Sequence, residues 1–147
     1  MLSADTNLFI YAADPDSPYH AEARRFFASL SERKEEFVLC ELILLELYMQ
    51  LRNPAVFKKP YSSVEAVGYC RALKACPHWR CIDYSPEVAE KLWVCAEKTD
   101  AGFRKAIDAR IALTLRHHGV TEFATANTKD FGGFGLERVW NPLHGGK

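Results

Sequence analysis

The sequence has no excess of charge of either sign: nineteen Lys and Arg stand against nineteen Asp and Glu in 147 residues, a formal net charge of zero. Proteins that coat DNA or RNA generically carry a broad basic surplus, so unspecific coating of nucleic acid is excluded as the main activity. No apolar run approaches the ~20 residues needed to cross a bilayer. The opening Met1-Leu2-Ser3-Ala4-Asp5 lacks the basic-then-apolar order of a secretory signal. The expectation is a cytoplasmic protein with no membrane association. The five cysteines are odd in number and form no Cys-x-x-Cys pair, which excludes a disulfide framework or a zinc ribbon, and Cys76, His78 and Cys81 match no common zinc spacing. Internal repeats, linkers and low-complexity segments are also missing.

What is present suits a core. With 48% hydrophobic and 12% aromatic residues, a chain of this size buries roughly two thirds of its surface on folding, so a single domain over residues 1–147 is expected. Charge is segregated along it: the first fifty residues hold four basic and nine acidic side chains, the next fifty eight and six, and the remainder seven and four.

The pattern alternates strand and helix. Leu2–Ala4 reads as a strand ending at Asp5, followed by the apolar stretch Leu8–Tyr11. Ser17-Pro18 supplies a cap and a first-turn proline for a helix to about Arg33. Phe37–Cys40 reads as a buried strand. A helix over Glu41–Arg52, apolar around most of its circumference and therefore buried, stops at Asn53-Pro54. Lys58-Lys59-Pro60-Tyr61 forms a loop before a helix from Ser62 or Ser63 to about Ala75. A strand over Arg80–Tyr84 precedes a helix from Ser85-Pro86-Glu87 to about Thr99, and Asp100–Phe103 is a break. A helix from about Lys105 to His118 ends at Gly119, then come a strand at Glu122–Thr125, a loop at Ala126–Gly135 and a last strand at Arg138–Trp140. Such alternation predicts an α/β fold of three layers, α/β/α, around a mostly parallel central sheet.

In such sheets ligands collect beyond the carboxyl ends of the strands, at the topological switch point. Asp5 follows the first strand, Asn127 and Asp130 follow the strand ending at Thr125, and Asp108 lies in the first turn of the preceding helix. Glu46 stands mid-helix between Leu45 and Leu47; a buried carboxylate needs a cation, a metal or a hydrogen-bond partner, and Arg52 is one candidate. Taken singly, Asp5 reads equally well as a helix N-cap, and Asp108 and Glu41 as acids favoured by a helix dipole. Taken together, carboxylates brought by separate elements to one crevice repel one another, and the usual reason to gather them is a hard divalent cation. His117 and His118 close a helix, where the C-terminal dipole favours them.

Asp5-Thr6-Asn7 with Phe9-Ile10-Tyr11-Ala12, Glu46-Leu47 before Leu51-Arg52-Asn53-Pro54, Asp108-Ala109-Arg110-Ile111-Ala112 ahead of His118-Gly119-Val120, Thr125-Ala126-Asn127 with Lys129-Asp130-Phe131, and Val139–Leu143 resemble the motifs of PIN-domain nucleases, the fold of VapC-type toxins of type II toxin-antitoxin systems. The resemblance spans the whole chain. It implies a metal-dependent endoribonuclease holding Mg²⁺ or Mn²⁺, with Asp5, Glu46 and Asp108 as the metal acids and products bearing 5′-phosphate and 3′-hydroxyl ends. Many relatives carry Asp where Asn127 stands, so either Asn127 serves as a neutral ligand or orienter, or Asp130 supplies the charge. Glu46 either completes the metal shell or acts as general base. RNA contacts are expected from Thr6, Asn7, Arg104, Lys105, Arg110, Thr125 and Lys129, with Arg116 and the Lys58-Lys59 loop as further basic candidates. The resemblance also implies a small VapB-like antitoxin as partner and a homodimer. The rival readings are a non-catalytic PIN-like domain that binds RNA or protein, and a phosphatase of another doubly wound fold; aspartyl-phosphate enzymes of that kind usually have a second Asp two residues after the first, where Asn7 stands.

Overall fold

The computed structural model describes residues 1–98 and 102–144. Five strands, β1 (Leu2–Ala4), β2 (Phe37–Cys40), β3 (Trp79–Ile82), β4 (Glu122–Ala124) and β5 (Arg138–Trp140), form one all-parallel sheet in the order β3-β2-β1-β4-β5. Leu2 stands level with Phe37 on one side and Glu122 on the other. The chain builds outward from β1 through β2 to β3, then crosses back to lay β4 on the other side of β1. The order thus reverses between β1 and β4, and a crevice opens where the strands on either side send their connections to opposite faces.

Six helices cover the sheet: α1 (Thr6–Ala13), α2 (His20–Ser29), α3 (Glu41–Leu51), α4 (Ser63–Lys74), α5 (Ala89–Lys98) and α6 (Lys105–His117). Phe9 of α1 and Phe27 of α2 stack at 4.5 Å and pack on Phe37 and Trp79, which fixes one face. Cys40, three residues on and so on the opposite face of β2, lies within the field of Arg110 on α6. The three layers and parallel sheet read from the alternation are those observed. β1 and β2 are buried on both faces, as central parallel strands must be.

Local differences have local causes. The apolar stretch after Asp5 is a full helix, α1, capped by the Asp5 side chain. Ser17 accepts a hydrogen bond from the Tyr19 backbone at 3.1 Å in a turn, and α2 starts only at His20. That helix tightens into a 3₁₀ turn over Leu30–Glu32, a common way for a last turn to meet its carbonyls. Pro86–Val88 is likewise a 3₁₀ turn ahead of α5. The expected helix end at Thr99 and the break at Asp100 and Ala101 lie outside the described residues. Ser62 and Glu65 form a reciprocal capping box on α4. Gly119 takes φ +88° after α6, where a side chain would be strained and a Cβ would meet the Met1 side chain at 2.7 Å.

Candidate active site

Asp5 ends β1 and begins α1. One carboxylate oxygen accepts the Thr6 backbone N–H at 2.7 Å, capping the helix. The other accepts the Thr125 hydroxyl, from the end of β4, at 2.7 Å and the Asn7 amide at 3.1 Å. Asn7 in turn accepts the Ala126 backbone N–H at 3.3 Å. The cap and the site are one residue: the strand end, the helix start and the neighbouring strand all hold the same carboxylate. It is only 9% exposed, and this burial pushes its pKa up to about 6. The bonds from Thr125 and Thr6 pull it down, whereas the charges of Glu46 and Asp108 push it up.

Glu46 comes from the middle of α3, where its carboxylate accepts the Thr6 hydroxyl at 2.7 Å. The expected burial of α3 all round is corrected here. Ile43, Leu44, Leu47 and Leu51 are buried, but Leu45 and Met49 are 47% and 60% exposed and Glu46 is half-buried. The helix turns a mixed stripe of Leu42, Leu45, Glu46 and Met49 into an open cleft rather than into core. Arg52 is not the partner of Glu46, since it donates to the Tyr48 hydroxyl at 3.2 Å.

Asp108 projects from the first turn of α6. Partial burial raises its pKa to about 6; the Asp130 charge adds to this, Lys105 opposes it, and Glu46 adds a little more. Asp130 belongs to a 3₁₀ turn over Thr128–Phe131, and Lys105 donates to its backbone carbonyl at 2.6 Å, tying that turn to α6. Asn127 precedes the turn with its backbone N–H donated to the Thr125 hydroxyl at 3.0 Å.

These pieces enclose a cleft of about 540 Å³ at the switch point. Asp5, Thr6, Asn7, Glu46, Arg104, Asp108, Asn127 and Asp130 all line it. Thr125 stands behind Asp5, fully buried, and acts through it. Lys105 borders an adjoining pocket with Asp108 and Asp130. Lys129 is exposed on the Asp130 turn. Arg110 is not brought to the cleft; its guanidinium lies 4.3 Å from the Tyr84 ring centre. Arg116 donates to the Phe134 carbonyl, and the His118 ring is hydrogen-bonded with the Ser85 hydroxyl at 3.1 Å. Sequence reasoning missed the apolar wall of Ile10, Leu42, Leu45, Met49 and Ile107, and also Gln50. The three- and four-residue spacing of Leu42, Leu45, Glu46 and Met49 was the available signal.

Among the described residues, none of the four cleft acids is in an ion pair. Among the described residues, no three His, Cys, Asp or Glu side chains stand close enough together to grip one ion directly. The donor set nevertheless fits a hard divalent ion: every candidate ligand is an oxygen, and Asp5 and Asp108 are each raised by a neighbouring carboxylate's charge, which a cation would relieve. Mg²⁺ in particular keeps several waters and needs only one or two direct carboxylates.

Comparison with known proteins bears on the family and the fold. Residues 4–132 match the family model described as PIN domain. The chain is 43% identical over 143 residues, 97% of each chain, to Ribonuclease VapC24 of Mycobacterium tuberculosis, with the same figures in strains CDC 1551 / Oshkosh and H37Rv. A crystal structure of M. tuberculosis VapC20, titled a sarcin-ricin loop cleaving toxin, superposes with a TM-score of 0.64 at 16% identity, covering 84% of this chain and 87% of that one; at that identity the likeness bears on the fold. With acids at the end of β1, in the turn after β4, on α3 and on α6, and with identity of this extent, the chain belongs to the PIN domain family, among its VapC ribonucleases.

Proposed function

We propose that this protein is a Mg²⁺- or Mn²⁺-dependent endoribonuclease, a VapC-type toxin hydrolysing RNA phosphodiester bonds. The observation that carries this reading is the convergence of Asp5, Glu46, Asp108 and Asp130 on one cleft, with none of them in an ion pair among the described residues. Asp5, Glu46 and Asp108 would hold the ion, no more than two of them directly and the rest through its water shell, and the ion would supply charge neutralisation at the phosphate and a water of lowered pKa.

The chain's own residues do the rest. Asp5 is locked by three hydrogen bonds, so it enters the reaction already oriented and needs no rearrangement. Glu46 is held through one oxygen by Thr6, which leaves its second oxygen to a ligand or to the attacking water as general base. Asn127 offers a neutral amide as ligand or orienter, and Asp130 supplies the fourth carboxylate. Arg104 at the mouth faces the RNA phosphates, with Lys105 and Lys129 beside it. Products would carry 5′-phosphate and 3′-hydroxyl ends. No helix of the described residues is long and apolar enough to cross a membrane, and a cytoplasmic protein is proposed. A small VapB-like antitoxin and a second copy of the chain are the proposed partners, as expected of this family.

The test is incubation of purified protein with a panel of structured RNAs in Mn²⁺ or in EDTA, beside Asp5→Asn and Asp108→Asn. Cleavage is expected from the wild type in Mn²⁺ alone. Cleavage that survives EDTA or either substitution overturns the mechanism. RNA binding without any cleavage favours the non-catalytic reading, for which Asn127 and the zero net charge are the motives.

A further inference from the structure

Phe103 is 89% exposed, more than any other large apolar side chain described. A lone exposed apolar residue is ordinary; its surroundings are what distinguish this one. It stands in the turn that leads into α6, five residues before Asp108. Together with Gly102, Arg104 and Lys105 it borders a pocket of about 310 Å³ whose other walls are Asp108 and Asp130. Arg104, Asp108 and Asp130 line both this pocket and the acid cleft, so the two spaces adjoin across a shared wall. The Arg104 guanidinium lies 5.9 Å from the Phe103 ring centre and makes no ion pair among the described residues. Lys105, by contrast, is committed to the Asp130 carbonyl and the Phe134 ring.

An exposed aromatic ring, a guanidinium beside it with no ion pair among the described residues and a shared wall with the cleft carboxylates match one nucleotide of single-stranded RNA: the base stacks, and its phosphate meets the cation. An apolar side chain of a protein partner fits less well, because among the described residues Phe103 is the only large apolar group in walls of both charge signs. Resting on the ribonuclease reading above, we infer that Phe103 stacks on an unpaired base beside the scissile phosphate, with Arg104 on that nucleotide's backbone. The substrate is then a loop or other unpaired segment. A base held in a duplex already has both faces stacked and cannot meet the ring. Since every base presents a π-face, the selection is for an unpaired state more than for a particular letter.

The test uses a short single-stranded RNA carrying 2-aminopurine, titrated in EDTA against wild type, Phe103→Ala and Phe103→Trp, each checked for native circular dichroism. Wild type and Phe103→Trp should quench the fluorophore. Phe103→Ala should lose the quench and weaken binding about tenfold, and should raise KM on a cleavable RNA far more than it lowers kcat. A duplex of the same sequence should not distinguish the three chains. No quench with the wild type, or equal quench and affinity for wild type and Phe103→Ala, overturns the inference, as does a site reserved for protein, which leaves RNA binding unchanged. The titration needs no cleavage. A wild type that cuts nothing yet shows Phe103-dependent quenching therefore refutes only the nuclease reading, whereas one that cuts with an unaltered KM in Phe103→Ala refutes only the stacking.

Discussion

Asp5 shows how one side chain can serve the fold and the site against its own electrostatic interest. Its pKa and that of Asp108 are both pushed up to about 6 from 3.8, by burial first and by neighbouring carboxylates after it. In the unfolded chain both groups return to the ordinary value. Between about pH 4 and pH 6 the folded state therefore binds more protons than the unfolded state, so these two groups make the metal-free protein lose stability as pH rises through that window. Thermal melts in EDTA are expected to show Tm falling from pH 5 to pH 7.5. Adding Mg²⁺ at pH 7.5 should reverse the loss, since a ligand at one hundred times its Kd contributes ~2.7 kcal/mol, several degrees in a domain of this size. Asp5→Asn and Asp108→Asn should each abolish most of that Mg²⁺ shift. A melt insensitive to Mg²⁺ in the wild type would count against the metal site. Cleavage should follow the same groups in the opposite sense, being lost as pH drops below about 6, at a midpoint that moves lower as Mg²⁺ is raised, because protons and the cation compete for the same carboxylates.

At the scale of elements, α3 carries two jobs on two faces. Leu47 and Leu51 are fully buried, while Leu45 and Met49 face the cleft beside Glu46. Leu47→Ala is expected to cost about 2–5 kcal/mol in denaturant unfolding because it leaves a cavity, whereas Met49→Ala should stay within about 0.5 kcal/mol. Equal costs would mean that the exposed stripe is in fact packed. The capping box on α4 is a second local device, and Ser62→Ala should cost about 1 kcal/mol by leaving the Glu65 N–H without its partner. An apolar wall around a carboxylate was open to two readings in the sequence: composition alone cannot tell a helix buried on all sides from one whose second apolar face lines a cleft. The difference lies in what packs against it, and that is decided by α1 and the sheet.

For the whole molecule, zero net charge acquires a specific meaning. Four of the nineteen acids gather in one cleft, where a bound cation offsets part of their charge, so the rim offered to RNA is more basic than the count suggests. Among the described residues the cations at or beside that rim are few, namely Arg104, Lys105 and Lys129. With about three phosphates neutralised, log Kd for single-stranded RNA should change with log salt at a slope near 2 in magnitude, measured by filter binding or anisotropy. A slope several times steeper would place the RNA on a broader basic surface elsewhere. The single domain proposed for the chain predicts one cooperative unfolding transition, with far-UV ellipticity and tryptophan fluorescence coincident.

Much was legible from the sequence because its signals are local. Strand and helix alternation dictates a parallel sheet, since a right-handed crossover through a helix is the short way to bring successive strands parallel. An acid at the end of a buried strand dictates a carboxylate at the sheet's carboxyl edge. That holds for Asp5; Asn127 and Asp130 line the same cleft from the turn after β4, Asp108 from the first turn of α6 and Glu46 from the middle of α3. Arg110 could not be sorted from Arg104 in the same way: both flank Asp108 on or beside one helix, and only the packing of α6 turns one toward the cleft and the other onto Tyr84. The partner of Glu46 was equally out of reach, because the Thr6 hydroxyl lies forty residues away in the chain. Secondary structure and the carboxyl-edge position of the acids follow from periodicity and chain direction, which a sequence carries in itself. Which of those side chains meet, and how far burial shifts their protons, depends on distances across the fold that only the assembled sheet and helices set.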